Sequence, residues 1–399
     1  MKKKIKYAEF PDMNTVKDIV IFGGKKGADK PQYTFYNFDG EIEMKTFAQV
    51  NYDLTGLGQY LYKLGLRGKK VAILSENSYY WIACYFSIIT GKITAVPMDP
   101  KLPDDDIIDI MIRSGCNAIY YSEDFKDTVE KMKKTDGVVI EQYIKIEDFY
   151  SMVEEGHNEV KNGVESYLED EVLPSDLAFL VYTSGTTGKS KGVMLSQENV
   201  AADSVASCRV MTGGPAIGFL PLHHAFSWVG ALFSGNLLTE WGFICRSLKD
   251  IQKDMNTYHP QNFSAVPLAV ETIYKKIWFT AKKSGREEML KKGLKISNFL
   301  LKLGIDKRRK IFSEILNNLG GNLEMIVCGG AYLDEQYEKG MEAFGIKIIN
   351  GYGITECSPA VTCNRLDAYK VGSVGIPLPC NEIRIKDPDE DGIGEICVK

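Results

Sequence analysis

Between residues 65 and 145 short apolar runs alternate with helix-length segments, and this rhythm restricts the fold more than any other feature of the chain. Residues 71–74 read as a buried strand, 78–90 as a helix stopped by Gly91, and 93–96 as a strand. Residues 104–114 read as a helix stopped by Gly115, and 117–121 as a further strand. Strands separated by helices of this length pair in parallel through right-handed crossovers, so the segment predicts a doubly wound α/β layer. Ahead of it, Thr46 caps a helix whose apolar residues Phe47, Val50, Leu54, Leu57 and Leu61 recur at helical spacing, and Gly65 ends it.

A second strand-rich stretch comprises 177–182, 192–195, 217–220 and 263–266, after which Pro267 opens a helix. It continues with a strand at 325–328, a helix at 334–344 closed by Gly345, and a strand at 346–349. Residues 382–386 and 395–398 alternate polar and apolar around the turn 387–392, the pattern of a β-hairpin. The expected division is a first α/β layer over 46–170, a second over 171–350, and the start of a smaller β-barrel-like piece over 351–399. Because the hairpin stops at Lys399, the chain is expected to continue into a further part.

Composition narrows the class. With 44% hydrophobic and 25% charged residues over 399 positions, disorder and fibrous repeats are excluded and two or three folded units are expected. A net charge of -5 gives no sign of a nucleic-acid binder. The basic start lacks a following apolar core, and the most apolar stretch, 81–90, meets Gly91 and Lys92 well short of the roughly 20 residues of a membrane span, so a cytoplasmic protein is expected. Nine cysteines without a Cys-x-x-Cys pair fit reduced, buried thiols better than disulfides or a zinc site.

The sharpest local feature runs from Tyr182 through Thr183, Ser184, Gly185, Thr186, Thr187, Gly188, Lys189, Ser190 and Lys191 to Gly192. Glycines let backbone N–H groups approach an anion, hydroxyls donate, and the two ammonium groups offset charge, so the loop suits a polyphosphate better than a plain hairpin tip. It is not a Walker A loop. Gly185 and Gly188 are separated by two residues instead of four, and a strand follows where a helix is required, which disfavours a kinase or GTPase.

At this loop the sequence resembles the adenylate-forming superfamily of acyl-CoA synthetases, luciferases and peptide-synthetase adenylation domains. It is most similar to the N-terminal domain of bacterial long-chain fatty acid–CoA ligases. The match is nearly residue for residue, with Ser190 where proline is common, a departure that removes a φ restraint. A second block, Asn350, Gly351, Tyr352, Gly353, Ile354, Thr355 and Glu356, also fits. The resemblance implies that Tyr352 stacks on adenine, Asn350 reads its edge, Thr355 contacts the α-phosphate, and Glu356 with Thr183 holds Mg²⁺. Gly329, Gly330 and Ala331 match the other wall of the adenine slot. In the third block, 220–228, His224 and Phe226 take the positions that lie beside the acyl carboxylate in the family, and Trp228 the place of a gating indole or of core. His223 is the bystander. Adjacent histidines make a poor metal chelate and no Gly-x-Ser-x-Gly elbow occurs, so zinc and serine-hydrolase chemistry lack support.

The same resemblance assigns catalysis to Thr183, Lys191, His224, Thr355 and Glu356, and implies ATP and Mg²⁺ with coenzyme A as the later co-substrate. Acid and ATP would give acyl adenylate and pyrophosphate, and coenzyme A would then displace AMP. That second step follows rotation of a small C-terminal domain in the family, and the ribose-binding aspartate, hinge and catalytic lysine would lie past Lys399. No Asp or Glu occurs from 216 to 239, whereas amino-acid-activating relatives pair the substrate ammonium there, so an acid with an apolar tail, a long-chain fatty acid, is expected. A carrier-protein acceptor and a non-catalytic nucleotide-binding module remain as alternatives. Finally, 281–310 carries eleven Lys or Arg against three acids. It reads either as a solvated helical face or as an amphipathic helix making peripheral contact with an anionic membrane.

Overall fold

The structure is a computed structural model that describes residues 7–183, 189–245 and 251–399. Two sheets organise it. The smaller has six strands in the order Gln142–Lys145, Ala118–Tyr121, Lys70–Leu74, Thr94–Pro97, Leu177–Thr183 and Lys191–Ser196. The first five are parallel and the last pairs antiparallel as an edge strand. The larger has nine, in the order Ile376–Pro377, Ala360–Cys363, Lys347–Gly353, Met325–Cys328, Asn262–Ala265, Ala216–Gly218, Gly242–Ile244, Pro31–Tyr36 and Ile42–Thr46. Its six inner strands, from Lys347–Gly353 to Pro31–Tyr36, are parallel.

The helix Tyr79–Ile89 explains how the two sheets stack. Its sequence, YYWIACYFSII, is apolar on every side, and a helix of that kind must be covered on every side. Ser78 caps it by accepting from the Trp81 N–H at 3.1 Å. From the large sheet Phe35 stacks on Tyr79 at 4.3 Å, and from the small sheet Phe179 stacks on Tyr85 at 5.6 Å. The helix is therefore the filling between the layers, and every one of its residues is buried. On the far side of this core, Phe47–Lys63 forms with the predicted Thr46 cap, a reciprocal box in which Gln49 N–H donates to Thr46 Oγ1 and Gln49 Oε1 accepts from the Thr46 N–H at 2.8 Å. Six of the nine cysteines are buried, as packing residues.

The structure moves two boundaries. Strands Leu177–Thr183 and Lys191–Ser196 belong to the first sheet, beside Thr94–Pro97, and not to the second layer where 171–350 had placed them. Pro31–Tyr36 and Ile42–Thr46, ahead of the expected first layer, complete one edge of the large sheet. Beyond residue 350 the described strands form no closed barrel. Ala360–Cys363 and Ile376–Pro377 extend the large sheet antiparallel, and Ile383–Lys386 with Glu395–Val398 makes the predicted hairpin. No helix among the described residues is long and apolar enough to cross a membrane.

Candidate active site

Parallel strands all end on the same side of their sheet, and the loops leaving those ends are where side chains from different strands converge. Here one such side chain joins a loop of one sheet to a loop of the other. Asn77, just past strand Lys70–Leu74, donates to Leu220 O at 2.8 Å and accepts from the Leu222 N–H at 3.0 Å, just past strand Ala216–Gly218. One side chain thus ties the histidine-bearing segment to the other layer.

The segment then places its two histidines differently. His223 is 8% exposed, with Nε2 3.6 Å from Asp99 and without a hydrogen bond. Burial, reinforced by the neighbouring His224, lowers its pKa to about 4, so the ring is neutral at pH 7. His224 is the exposed member of the pair and stands just ahead of the short turn Ala225–Ser227. Desolvation by nearby protein lowers its pKa too. Phe226 reaches across to the large sheet.

Strands Met325–Cys328 and Lys347–Gly353 are neighbours, with Cys328 opposite Asn350. This register sets Gly329, Gly330 and Ala331 alongside Asn350, Gly351, Tyr352 and Gly353. A Cβ at Gly329 would lie 3.5 Å from Gly351 O and 3.6 Å from Phe226 Cζ, so the second and third sequence blocks meet at this glycine. Gly330 has φ +84°, a left-handed backbone suited to glycine. Asn350 is 4% exposed, and its Oδ1 has no hydrogen-bond partner. A buried carbonyl left without a donor costs stability, and the exocyclic amine of an adenine is the kind of group that would satisfy it.

The 3₁₀ turn Thr355–Cys357 packs beside strand Lys191–Ser196, Cα atoms approaching within 8 Å. Thr183 and Lys191 face each other at the root of the glycine-rich loop, in register across the antiparallel pair. The turn bearing Thr355 and Glu356 therefore lies against the strand that leaves that root. Lys189, Lys191 and Glu356 are exposed and make no ion pair among the described residues, which leaves these charges available to a ligand. Ser184, Gly185, Thr186, Thr187 and Gly188 lie outside the described residues.

One participant has no motif of its own in the sequence. Arg113, at the end of helix Asp104–Ser114, donates to Ser190 O at 2.7 Å and Ser190 Oγ at 2.9 Å, and its guanidinium lies 5.0 Å from the centre of the Tyr182 ring. It also bonds Asp109 at 2.8 Å, one helical turn back. The two residues it grips flank Thr183–Lys189, so Ser190 is the acceptor of a clamp on the loop.

Trp228 is placed in the core. It is fully buried, stacks on Phe179 at 4.8 Å, and donates from Nε1 to Leu222 O at 2.6 Å. Both its hydrogen-bonding edge and a ring face are engaged within the protein, which is the core arrangement of the two that the sequence allowed.

The comparisons with known proteins bear on the fold and the family. The chain is 28% identical over 378 residues to mouse (Mus musculus) long-chain-fatty-acid–CoA ligase 6, an alignment covering 86% of this chain and 54% of the relative. It thus spans about half the length of that relative. Among solved structures, the N-terminal domain of FACL13 from Mycobacterium tuberculosis matches with a TM-score of 0.74 at 16% identity, over 97% of this chain and 89% of that one. The anthranilate CoA ligase AuaEII in complex with anthranoyl-AMP matches with a TM-score of 0.76 at 18% identity, over 99% of this chain and 70% of that one. These likenesses establish the fold. Residues 24–399 match the profile of the AMP-binding enzymes, and the chain belongs to that family.

Proposed function

We propose that the chain is the nucleotide-binding part of an ATP-dependent ligase that converts a carboxylic acid, with a long-chain fatty acid preferred, to its acyl adenylate, for transfer to coenzyme A. The observation that carries this reading is the packing of the Thr355–Cys357 turn beside strand Lys191–Ser196, whose first residue faces Thr183, with Asn350 and Tyr352 on the strand that leads into that turn. A nucleotide with its base against Tyr352 and Asn350 would direct its phosphates toward Lys189 and Lys191.

The reaction sets an electrostatic problem. A carboxylate oxygen attacks the α-phosphorus, the bond to the β-phosphate oxygen breaks, and pyrophosphate leaves, so anion must approach anion. Lys189 and Lys191, with no carboxylate paired to them among the described residues, offset that charge, and the Thr183 and Thr355 hydroxyls orient phosphate oxygens. Thr183 and Glu356 would hold Mg²⁺, which when bound neutralises phosphate charge. His224 with Phe226 would border the acid, and a neutral imidazole suits an anionic neighbour by hydrogen bonding without making an ion pair.

The choice of acid rests on charge. The segment 216–239 has no carboxylate, and Glu240, the next one, accepts the Gly214 N–H at 2.6 Å at the far end of strand Ala216–Gly218. A substrate ammonium would find no partner there, which favours an uncharged apolar tail. The test is exchange of labelled pyrophosphate into ATP across a panel of acids. Exchange that depends on a fatty acid and rises with chain length supports the reading, whereas exchange driven only by aromatic or amino acids redirects it. Absence of acid-dependent exchange in the full-length polypeptide would remove it.

A further inference from the structure

Helix Gln197–Cys208 continues directly from strand Lys191–Ser196, and Ser196 is its cap, with Oγ accepting from the Asn199 N–H at 3.2 Å. No connecting loop separates the helix from the strand that leaves the glycine-rich loop. In its interior the helix carries an acid. Asp203 is 3% exposed, its Oδ2 accepts the Ala360 N–H at 3.3 Å, and its Oδ1 has no hydrogen-bond partner among the described residues. The titratable groups that feel its charge are thiols: Cys208 on the same helix, Cys357 on the Thr355–Cys357 turn, Cys363 on strand Ala360–Cys363, and Cys380. With no cation offsetting it among the described residues, burial holds its carboxyl well above the usual carboxylate range.

Stability alone does not account for such a group. A buried carboxyl with one long hydrogen bond and one bare oxygen carries a desolvation cost that a hydrocarbon side chain of similar volume would not. What it holds is more telling. Ala360 faces Gly353 across the antiparallel pair, and these two residues are the legs of the segment 354–359 that contains the turn bearing Thr355 and Glu356. Ala360 is gripped on both sides, since Asn381 Nδ2 donates to Ala360 O at 3.0 Å. The turn already packs beside strand Lys191–Ser196, so Asp203 gives the same segment a second anchor on the helix that continues that strand.

We propose that Asp203 is a positioning residue of the nucleotide site: its carboxyl pins the return leg of the turn to helix Gln197–Cys208, so that Thr355 and Glu356 keep their place against strand Lys191–Ser196 while ligands come and go. It acts through Ala360. The inference rests on the nucleotide reading above and assigns a support to it. Mg²⁺ is the ligand most sensitive to that support, because Thr183 and Glu356 belong to different segments and a metal tolerates little change in the separation of its ligands. The adenine base, held by Tyr352 and Asn350 on strand Lys347–Gly353 itself, depends on it less.

The test is calorimetric titration of the chain with ATP, with and without Mg²⁺, and with AMP, each paired with thermal unfolding. Asp203→Ala removes the acceptor at a helical position that favours alanine, and should cut the Mg²⁺-dependent gain in ATP affinity about tenfold while AMP binding changes less than about threefold. Asp203→Asn keeps a neutral side chain of the same shape with one carbonyl oxygen, and should restore the gain to within about twofold of the parent. An Ala variant with the parent's Mg²⁺ gain, an Asn variant that loses as much as the Ala variant, or an Ala variant that does not fold or loses ATP and AMP binding in step with a lower Tm would each overturn the proposal. A parent that binds no ATP, or binds it equally with and without Mg²⁺, would remove the nucleotide reading and this inference with it, whereas a parent with the gain and an unchanged Ala variant would remove the role of Asp203 alone.

Discussion

Replacing Arg113 by alanine removes the clamp on the glycine-rich loop without touching any residue proposed to meet the nucleotide. Its guanidinium makes two hydrogen bonds to Ser190, at 2.7 and 2.9 Å, and lies over Tyr182. A hydrogen bond to a charged group contributes about 1.5–3 kcal/mol when buried. The Arg113 side chain is 32% exposed, so solvent screening reduces the pair to about 1–2 kcal/mol in total. Because the residues held are the two ends of the loop, most of this should appear as added disorder that ATP must overcome. At about 1.4 kcal/mol per tenfold, ATP binding should weaken roughly 5- to 30-fold. Arg113→Lys keeps the charge but loses the planar fork and should fall between the two. Asp109→Asn removes only the bridge within the helix and should change affinity less than about threefold. Titration calorimetry with ATP, paired with thermal unfolding, reads both quantities. An Ala variant that binds ATP within twofold of the parent, or that loses more folding stability than binding energy, would refute the assignment of Arg113 to the loop.

Three further outcomes are expected. Tyr352→Ala should weaken AMP binding about 10- to 100-fold, since stacking of a base on an aromatic ring contributes roughly 1–3 kcal/mol, and fluorescence titration with AMP measures it. Gly353→Ala would set a Cβ 2.1 Å from Pro359 O, a backbone atom, so it should cost about 1–3 kcal/mol in denaturant unfolding and displace the Thr355–Glu356 turn. Glu240 has a pKa raised to about 7 from 4.5 by burial, so the folded state holds its proton longer than the unfolded state does. Its contribution is present below pH 4.5 and is lost as pH rises through 7, by up to about 3 kcal/mol, and Glu240→Gln should flatten the fall of Tm between pH 5 and 8.

Local order was legible where the deciding physics is local. The Thr46 cap, the Gly115 stop and the hairpin around 387–392 are written in neighbouring residues, and each stands where expected. Strand order is not local. Periodicity identifies 177–182 as a strand but does not say that it pairs with Thr94–Pro97, because that choice depends on which sheet edge remains open after the crossovers form. Pro31–Tyr36 forms a local hairpin with Ile42–Thr46, but its place in the large sheet rests on Gly242–Ile244, two hundred residues away. Trp228 shows the same limit in a side chain: its neighbours Phe179 and Tyr85 come from other elements, and they make it core. The candidate site read better, since each block keeps its chemistry within a few consecutive residues. Arg113 was the omission. It meets Ser190 across 77 positions with no motif of its own, and only the replacement of the usual proline by a hydroxyl hinted that something there accepts a hydrogen bond.

The account depends on an adenine nucleotide lying between the Thr183–Lys191 root and the Asn350–Glu356 segment. A crystal structure of the chain soaked with AMP tests this directly. The predicted result is the base stacked on Tyr352, its exocyclic amine donating to Asn350 Oδ1, and the phosphate within reach of Thr355. Nucleotide bound elsewhere, with Asn350 Oδ1 still unpaired, would contradict it.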